Sequence, residues 1–178
     1  MEQDQLAGRQ AQLAMLPDSP MHLDHYSFSH MVIPSLYLSG DFTDYFTVGD
    51  RYIALFMADV SGHGSSSAFA TVLMKNLFAR KRSDFFRQND DTIRCPAKML
   101  ERANKELLDL GVDKFATMAV GVIDIINNSL SYSIAGHLPL PVLTTPGKDA
   151  RFLPGEGPPV GLMSDAEFEE KQIQLPDV

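Results

Sequence analysis

The chain has a single cysteine, Cys95, and few basic residues, and each shortage excludes a class of protein. One thiol cannot form an intramolecular disulfide, which argues against a small secreted fold held by disulfides. The 15 Lys and Arg residues are outnumbered by 23 Asp and Glu residues, which gives a formal net charge of −8. Because such a surface repels nucleic acid and anionic membranes, we expect neither as a partner.

Long apolar segments are also missing. The N-terminus shows no basic start followed by an apolar core, and no stretch is apolar over the roughly 20 residues that a transmembrane helix needs. The sequence therefore predicts a cytoplasmic protein without a membrane span. With 178 residues, of which 44 % are hydrophobic, it is suited to one domain with a substantial core.

The first 16 residues predict a helix. The segment Glu2–Leu16 is rich in Gln, Ala and Leu, lacks β-branched residues and is followed by Pro17. Its thin apolar stripe buries little by itself, which favours a linker helix (1–16) from a missing upstream regulatory domain over a helix that only packs on the domain. Residues 17–178 then form the domain itself, and the helix is a candidate for homodimer contact.

The pattern after this helix predicts several strands and two helices. Tyr52–Ala58 is apolar almost throughout, which indicates a central strand covered on both faces and paired with Asp41–Val48 through the Gly49-Asp50 turn. The other predicted strands are Tyr26–Ile33, Phe115–Ile125, Leu130–Ala135, Leu138–Thr144 and Phe168–Leu175.

The two helices lie between these groups of strands. The first is capped by Ser65–Ser67, ends near Arg82 and turns Ala68, Phe69, Val72, Leu73 and Leu77 inward; a polar loop, Ser83–Arg94, follows. The second begins at Pro96, ends at Gly111 and turns Met99, Ala103, Leu107 and Leu110 inward. Without regular strand-helix alternation, this order predicts an α+β sandwich of mostly antiparallel sheets flanked by helices.

Two acidic motifs predict a metal site. Asp59 ends an apolar strand and is followed by a glycine turn, Val60-Ser61-Gly62-His63-Gly64, while Asp41 lies in Ser39-Gly40-Asp41-Phe42-Thr43-Asp44. An Asp in this position is commonly a turn former or a helix cap. The glycines, however, allow the backbone to approach a hard divalent cation. In that interpretation Asp59 and the Val60 carbonyl are direct ligands, Asp41 completes the shell through water, and Asp44 is a turn residue or an outer partner.

Other chemistries find little support. His63 and His137 are most simply turn residues satisfied by the backbone, although a Gly-His turn can also place His137 beside the site. Neither belongs to a zinc spacing, so oxygen ligands favour magnesium or manganese. The sequence lacks a P-loop, a dinucleotide-binding glycine motif and a serine nucleophile elbow.

Six ordered blocks together resemble the SpoIIE/RsbU-type serine/threonine phosphatases, the bacterial branch of the metal-dependent type-2C protein phosphatases. The blocks are Gln10–Pro17, Ser39–Asp44, Asp59–Gly64, Phe115–Met118, Ala135–Pro139 and Gly157–Gly161. The resemblance implies an αββα sandwich and a cluster of two Mn²⁺ or Mg²⁺ ions held by Asp41, Asp59 and the carbonyl of Val60. It also implies a phosphorylated anti-sigma-factor antagonist as substrate and an upstream receiver or sensor domain.

The chain departs from this family pattern at its end. Members continue into a Thr-Asp-Gly strand end and a final Asp, whereas this sequence stops at Leu175-Pro176-Asp177-Val178. The domain is therefore expected to be C-terminally incomplete and to hold its cations weakly. A competing hypothesis is a catalytically weak or inactive adaptor domain of a response regulator, resembling the RssB proteins, that binds a sigma factor or its regulators. A third is a domain that only dimerises.

Overall fold

A five-stranded antiparallel sheet forms the centre of the computed structural model, which describes residues 2–33, 38–111 and 113–177. The strands are β1 Met21–Leu23, β2 Tyr26–Phe28, β3 Asp41–Val48, β4 Tyr52–Val60, β5 Ala116–Asp124, β6 Ser129–Ala135, β7 Val142–Leu143, β8 Arg151–Phe152 and β9 Lys171–Gln174. The central sheet has the order β3-β4-β5-β6-β9, and two-stranded sheets pair β1 with β2 and β7 with β8. The helices are α1 Glu2–Ala14, α2 Ser65–Gln88 and α3 Pro96–Leu110, with a 3-10 turn at Asp91–Arg94.

Helices α2 and α3 cover one face of the five-stranded sheet and build the main core with it. Alternate residues of β4 point to this face, because successive side chains of a strand lie on opposite sides. Phe56 is fully buried there and stacks on Phe78 of α2, with ring centroids 3.9 Å apart. The predicted α+β class, with antiparallel sheets flanked by helices, is confirmed.

The opposite face of β4 is partly open, so the prediction of a strand covered on both faces is wrong. Met57 is 52 % exposed and Asp59 is exposed as well. The apolar run therefore reflects one buried face and a second face that lines a cavity. The strand predicted over Tyr26–Ile33 is confirmed only for Tyr26–Phe28, since 29–33 form no strand.

Helix α2 is longer than predicted and continues to Gln88 through residues assigned to a loop. Phe85 keeps this extension attached, because it packs against the main core. Asn89 then ends the helix in the left-handed conformation, with φ of 57°. Phe69, predicted to face inward, is 57 % exposed.

Helix α3 follows the prediction closely. It begins at Pro96 and is capped by Gly111 with φ of 66°, a conformation that glycine adopts without strain. Strand β5 lies inside its predicted range and β6 begins one residue before its predicted start, whereas 138–144 and 168–175 shorten to Val142–Leu143 and Lys171–Gln174. Among the described residues, no helix has the length and apolarity required to cross a bilayer.

Candidate metal centre

Asp41 and Asp59 are directly opposed partners on the adjacent antiparallel strands β3 and β4. The neighbouring residues Gly40 and Val60 are joined by a hydrogen bond from Val60 N to Gly40 O of 3.0 Å. Since pairs alternate along an antiparallel ladder, Asp41 and Asp59 form a non-hydrogen-bonded pair, in which opposed Cα atoms lie about 4.5 Å apart. Both carboxylates therefore project from the same face of the sheet.

The electrostatics of this pair favour a cation. Burial and the negative charge of Asp59 raise the pKa of Asp41 above its ordinary value, and His137 partly opposes that shift. Two carboxylates held this close repel each other, and a divalent cation between them would remove the repulsion.

The main-chain oxygen of Val60 lies against Gly40. A Cβ added at Gly40 would be 2.5 Å from Val60 O and 3.6 Å from Gly62 O, so only glycine fits beside these carbonyls. This close approach keeps a main-chain oxygen next to the two carboxylates. The three groups named from the sequence, Asp41, Asp59 and Val60, therefore meet at one end of β3 and β4.

A buried amide positions the segment that leads into β3. Gln12 of α1 donates through Nε2 to the carbonyl of Ser39 at 2.7 Å and accepts the Ser39 N–H at Oε1 at 2.9 Å. The hydroxyl of Ser39 accepts the N–H of Asp41 at 3.0 Å. Gln12 also donates to Thr71 of α2 at 3.1 Å. Gln12 lies in the block Gln10–Pro17, but sequence reasoning missed its contact with Ser39, because no local pattern connects residues 27 positions apart.

The turn after Val60 is held from two sides. The carbonyl of Ser61 accepts hydrogen bonds from the hydroxyl of Ser67 at 3.0 Å and from Lys114 Nζ at 3.1 Å. Gly62 and Gly64 have φ of 80° and 84°, which favour glycine. Ser67 thus binds the turn, and the predicted serine cap is wrong, since α2 begins after Gly64 without a side-chain cap.

Asp44 has no part in this cluster. It lies inside β3, 7 % exposed, and forms an ion pair with Lys75 of α2 at 2.9 Å. Because it is three residues from Asp41, it faces the opposite side of the strand. The interpretation of Asp44 as a turn residue or an outer partner of the metal is therefore wrong.

His137 lies beside the site, whereas His63 is simply an exposed turn residue. Nδ1 of His137 is 3.1 Å from the hydroxyl oxygen of Thr117, and Thr117 is the β5 residue directly opposite Asp59. His137 also lines, with Asp41, a cavity of about 550 Å³ on the face of the sheet away from α2 and α3.

The donor set fits a hard cation with few protein ligands. The described part of the chain contains no group of three or more His, Cys, Asp or Glu side chains placed to hold a metal. Two carboxylates and a main-chain oxygen suit magnesium or manganese, which keep several waters when the protein supplies few oxygens. The same arrangement offers nothing to a soft metal.

The chain belongs to the SpoIIE family, since the model of that family, described as Stage II sporulation protein E, matches residues 49–177. Its class is the SpoIIE/RsbU-type, PP2C-like phosphatase domain, and the adaptor hypothesis is not favoured. Protein IcfG of Synechocystis is 32 % identical over 94 % of this chain and 30 % of its own length. Phosphoserine phosphatase RsbP of Bacillus subtilis is 27 % identical over 76 % of this chain and 33 % of its own.

Solved structures show the same architecture. The RsbU and RsbW domains of Rv1364c from Mycobacterium tuberculosis match with a TM-score of 0.66 and 26 % identity, over 81 % of this chain and 38 % of that one. The SiaA-PP2C domain of Pseudomonas aeruginosa matches with a TM-score of 0.70 and 17 % identity, over 98 % of this chain and 67 % of that one. The predicted metal-dependent phosphatase fold is confirmed. The chain spans about a third of the length of the curated relatives it matches.

Proposed function

We propose that this domain hydrolyses phosphoserine or phosphothreonine on a protein in a reaction that depends on a divalent metal. The observation that carries the proposal is the direct opposition of Asp41 and Asp59 across β3 and β4, beside the Val60 carbonyl. A divalent cation bound there would activate water and neutralise phosphoryl oxygens. Asp41 and Asp59 supply the negative charge that holds it, and the sheet fixes their spacing before binding.

Magnesium or manganese is the cation we propose, with two ions when all ligands of the site are present. Oxygen donors select hard cations, and the raised pKa of Asp41 reflects its burial and the negative charge of Asp59, which such an ion would balance. Asp59 and the Val60 carbonyl would be direct ligands, whereas Asp41 would act directly or through a bound water.

We propose a phosphorylated anti-sigma-factor antagonist as the substrate. Support comes from the relatives, one of which is named a phosphoserine phosphatase while another structure joins RsbU and RsbW domains in one chain. In the same proposal, α1 links the domain to an upstream receiver or sensor domain and offers a surface for homodimers. The protein then acts in cytoplasmic regulation of a sigma factor.

Phosphate release from a phosphoserine peptide, measured with and without manganese, tests the function. We expect manganese-dependent release by the protein, and a loss of at least a hundredfold in Asp59→Asn with unchanged unfolding behaviour. Asp109→Asn is the matched control, because Asp109 is an exposed helix residue paired with Lys105. Full activity in Asp59→Asn, or phosphate release that is the same with and without manganese, would overturn the proposal.

A further inference from the structure

A row of side chains crosses three strands at the end of the sheet where the carboxylates lie. Asp41 on β3 is opposite Asp59 on β4, and Asp59 is opposite Thr117 on β5. Directly opposed residues share a face of the sheet, so the hydroxyl of Thr117 continues the line begun by the carboxylates. His137 extends this line, because its Nδ1 is 3.1 Å from Thr117 Oγ1.

The backbone places His137 there through a turn at the end of β6. Gly136 has φ of 63°, and Met118 of β5 forms an isolated parallel bridge with it. A Cβ at Gly136 would meet the ring of Pro159 at 3.0 Å, so the turn is also closely packed. The position of His137 is therefore set by β5 and β6 rather than by a free loop.

One nitrogen of His137 is engaged and the other remains for a ligand. With the Thr117 hydroxyl donating, Nδ1 accepts and Nε2 carries the proton. Among the described residues, Nε2 has no hydrogen-bond partner, and His137 does not join Asp41 and Asp59 in a group able to hold a metal. In this tautomer the Nε2–H is available as a donor, and His137 lines the cavity together with Asp41.

We propose that His137 is a substrate-binding residue whose Nε2–H donates a hydrogen bond to a phosphoryl oxygen, and that Thr117 is its positioning residue. The inference rests on the proposed function and assigns His137 a role other than metal binding, namely orientation of the phosphoryl group. The carboxylates repel a phosphate unless a cation intervenes, whereas an imidazole N–H attracts it directly. His137 therefore orients the phosphoryl group at the end of the row, beyond the metal ligands.

The test separates the two ring nitrogens. In His137→Asn the amide keeps a polar atom near Nδ1 and removes the Nε2 donor, whereas in His137→Gln an amide nitrogen can occupy the Nε2 position. The two readouts are inhibition by inorganic phosphate and the split between KM and kcat on a phosphoserine peptide. We expect His137→Asn to weaken phosphate inhibition and raise KM about tenfold, as for one hydrogen bond to a charged group, and His137→Gln to restore much of both.

Variants of Thr117 provide a second test of the inference. Thr117→Val should raise KM a few-fold through loss of the fixed ring orientation, while Thr117→Ser should behave as the parent protein. His22→Asn, at the exposed position of strand β1, is the control for a histidine away from the site. Manganese-induced thermal stabilisation should be equal in all of these variants, because none of them removes a metal ligand.

Several outcomes would overturn the inference. Unchanged phosphate inhibition in a folded His137→Asn would do so, and loss of manganese binding in that variant would identify His137 as a metal ligand instead. Calorimetric titration with inorganic phosphate in the presence of manganese separates this inference from the proposed function. A protein that binds phosphate through His137 but hydrolyses nothing refutes only the function, whereas one that binds no phosphate refutes the inference.

Discussion

Gln12 holds Ser39 by two hydrogen bonds, with its Nε2 2.7 Å from the carbonyl oxygen and its Oε1 2.9 Å from the amide nitrogen. This pair joins α1 to the segment that enters β3. Both residues are buried, so the backbone groups of Ser39 have no access to water in place of the amide.

Replacement of Gln12 by Leu should destabilise the protein and weaken manganese binding. The buried N–H and C=O of Ser39 would lose their partners, at a cost of about 1 to 3 kcal/mol in the free energy of unfolding. Ser39 would then hold the N–H of Asp41 less firmly. Urea unfolding and manganese titration measure the two effects. The control is Gln10→Leu, at an exposed position of the same helix; equal losses in both variants would contradict the prediction.

Gly40→Ala should abolish metal-dependent activity while leaving most of the fold. The added Cβ would lie 2.5 Å from Val60 O, so β3 and β4 must separate where Asp41 and Asp59 meet. Manganese titration of the variant is the measurement. Gly8→Ala serves as the control, because its Cβ would meet the flexible side chain of Leu38, at 3.3 Å, rather than a backbone oxygen. Parental manganese affinity in Gly40→Ala would refute the proposed role of this clearance.

Asp41→Asn should raise the stability of the metal-free protein. The pKa of Asp41 is raised in the folded state, so the folded protein binds more protons than the unfolded chain between the two pKa values. The charged carboxylate therefore lowers stability at neutral pH, and this cost disappears as the pH falls below the ordinary pKa of an aspartate. Thermal unfolding from pH 3 to 7 without metal measures the difference. Added manganese should stabilise the parent protein and not Asp41→Asn, and a less stable metal-free variant at pH 7 would contradict the prediction.

Asp90→Ala should destabilise the connection between α2 and α3. The carboxylate of Asp90 accepts hydrogen bonds from the N–H and hydroxyl of Thr92 and from Lys81, which hold its pKa well below the ordinary value. Loss of this cap should cost about 1 kcal/mol at pH 7.

The pH dependence has the opposite sign to that of Asp41. A lowered folded-state pKa adds stability above the ordinary pKa and loses it as the pH falls toward the folded value. The difference between the parent protein and Asp90→Ala should therefore shrink below about pH 4. Asp91→Ala is the control, since the Asp91 side chain is 64 % exposed and pairs with the neighbouring Arg94. A difference that is constant down to pH 2 would exclude this explanation.

Local signals account for the parts of the fold that the sequence predicts well. The hairpin of β3 and β4 follows from its turn and its β-branched and aromatic residues, and α3 follows from Pro96, Gly111 and a regular apolar face. The extension of α2 to Gln88 could not be predicted in this way, because it depends on Phe85 packing against a distant core.

The candidate site likewise has a part that the sequence predicts and a part that it does not. Register within one hairpin brings Asp41 and Asp59 together, and strand parity alone would have placed Asp44 on the other face. The contacts of Gln12 with Ser39 and of His137 with Thr117 join segments 27 and 20 residues apart, and such pairings depend on the completed sheet. His137 lies in a recognisable Gly-His turn and Gln12 in the block Gln10–Pro17, but neither pattern shows which residue the side chain will contact.

The turn at Gly49 lies at the far end of the hairpin from Asp41 and Asp59. The two carboxylates are held opposite each other by the ladder of β3 and β4, and β4 is also held by β5 on its other side, so their pairing does not depend on the turn alone. A peptide tag, a fluorophore attachment site or a new pair of chain termini could therefore be introduced there without altering the geometry on which metal binding depends. The hairpin therefore offers an attachment point that is remote from the candidate metal site.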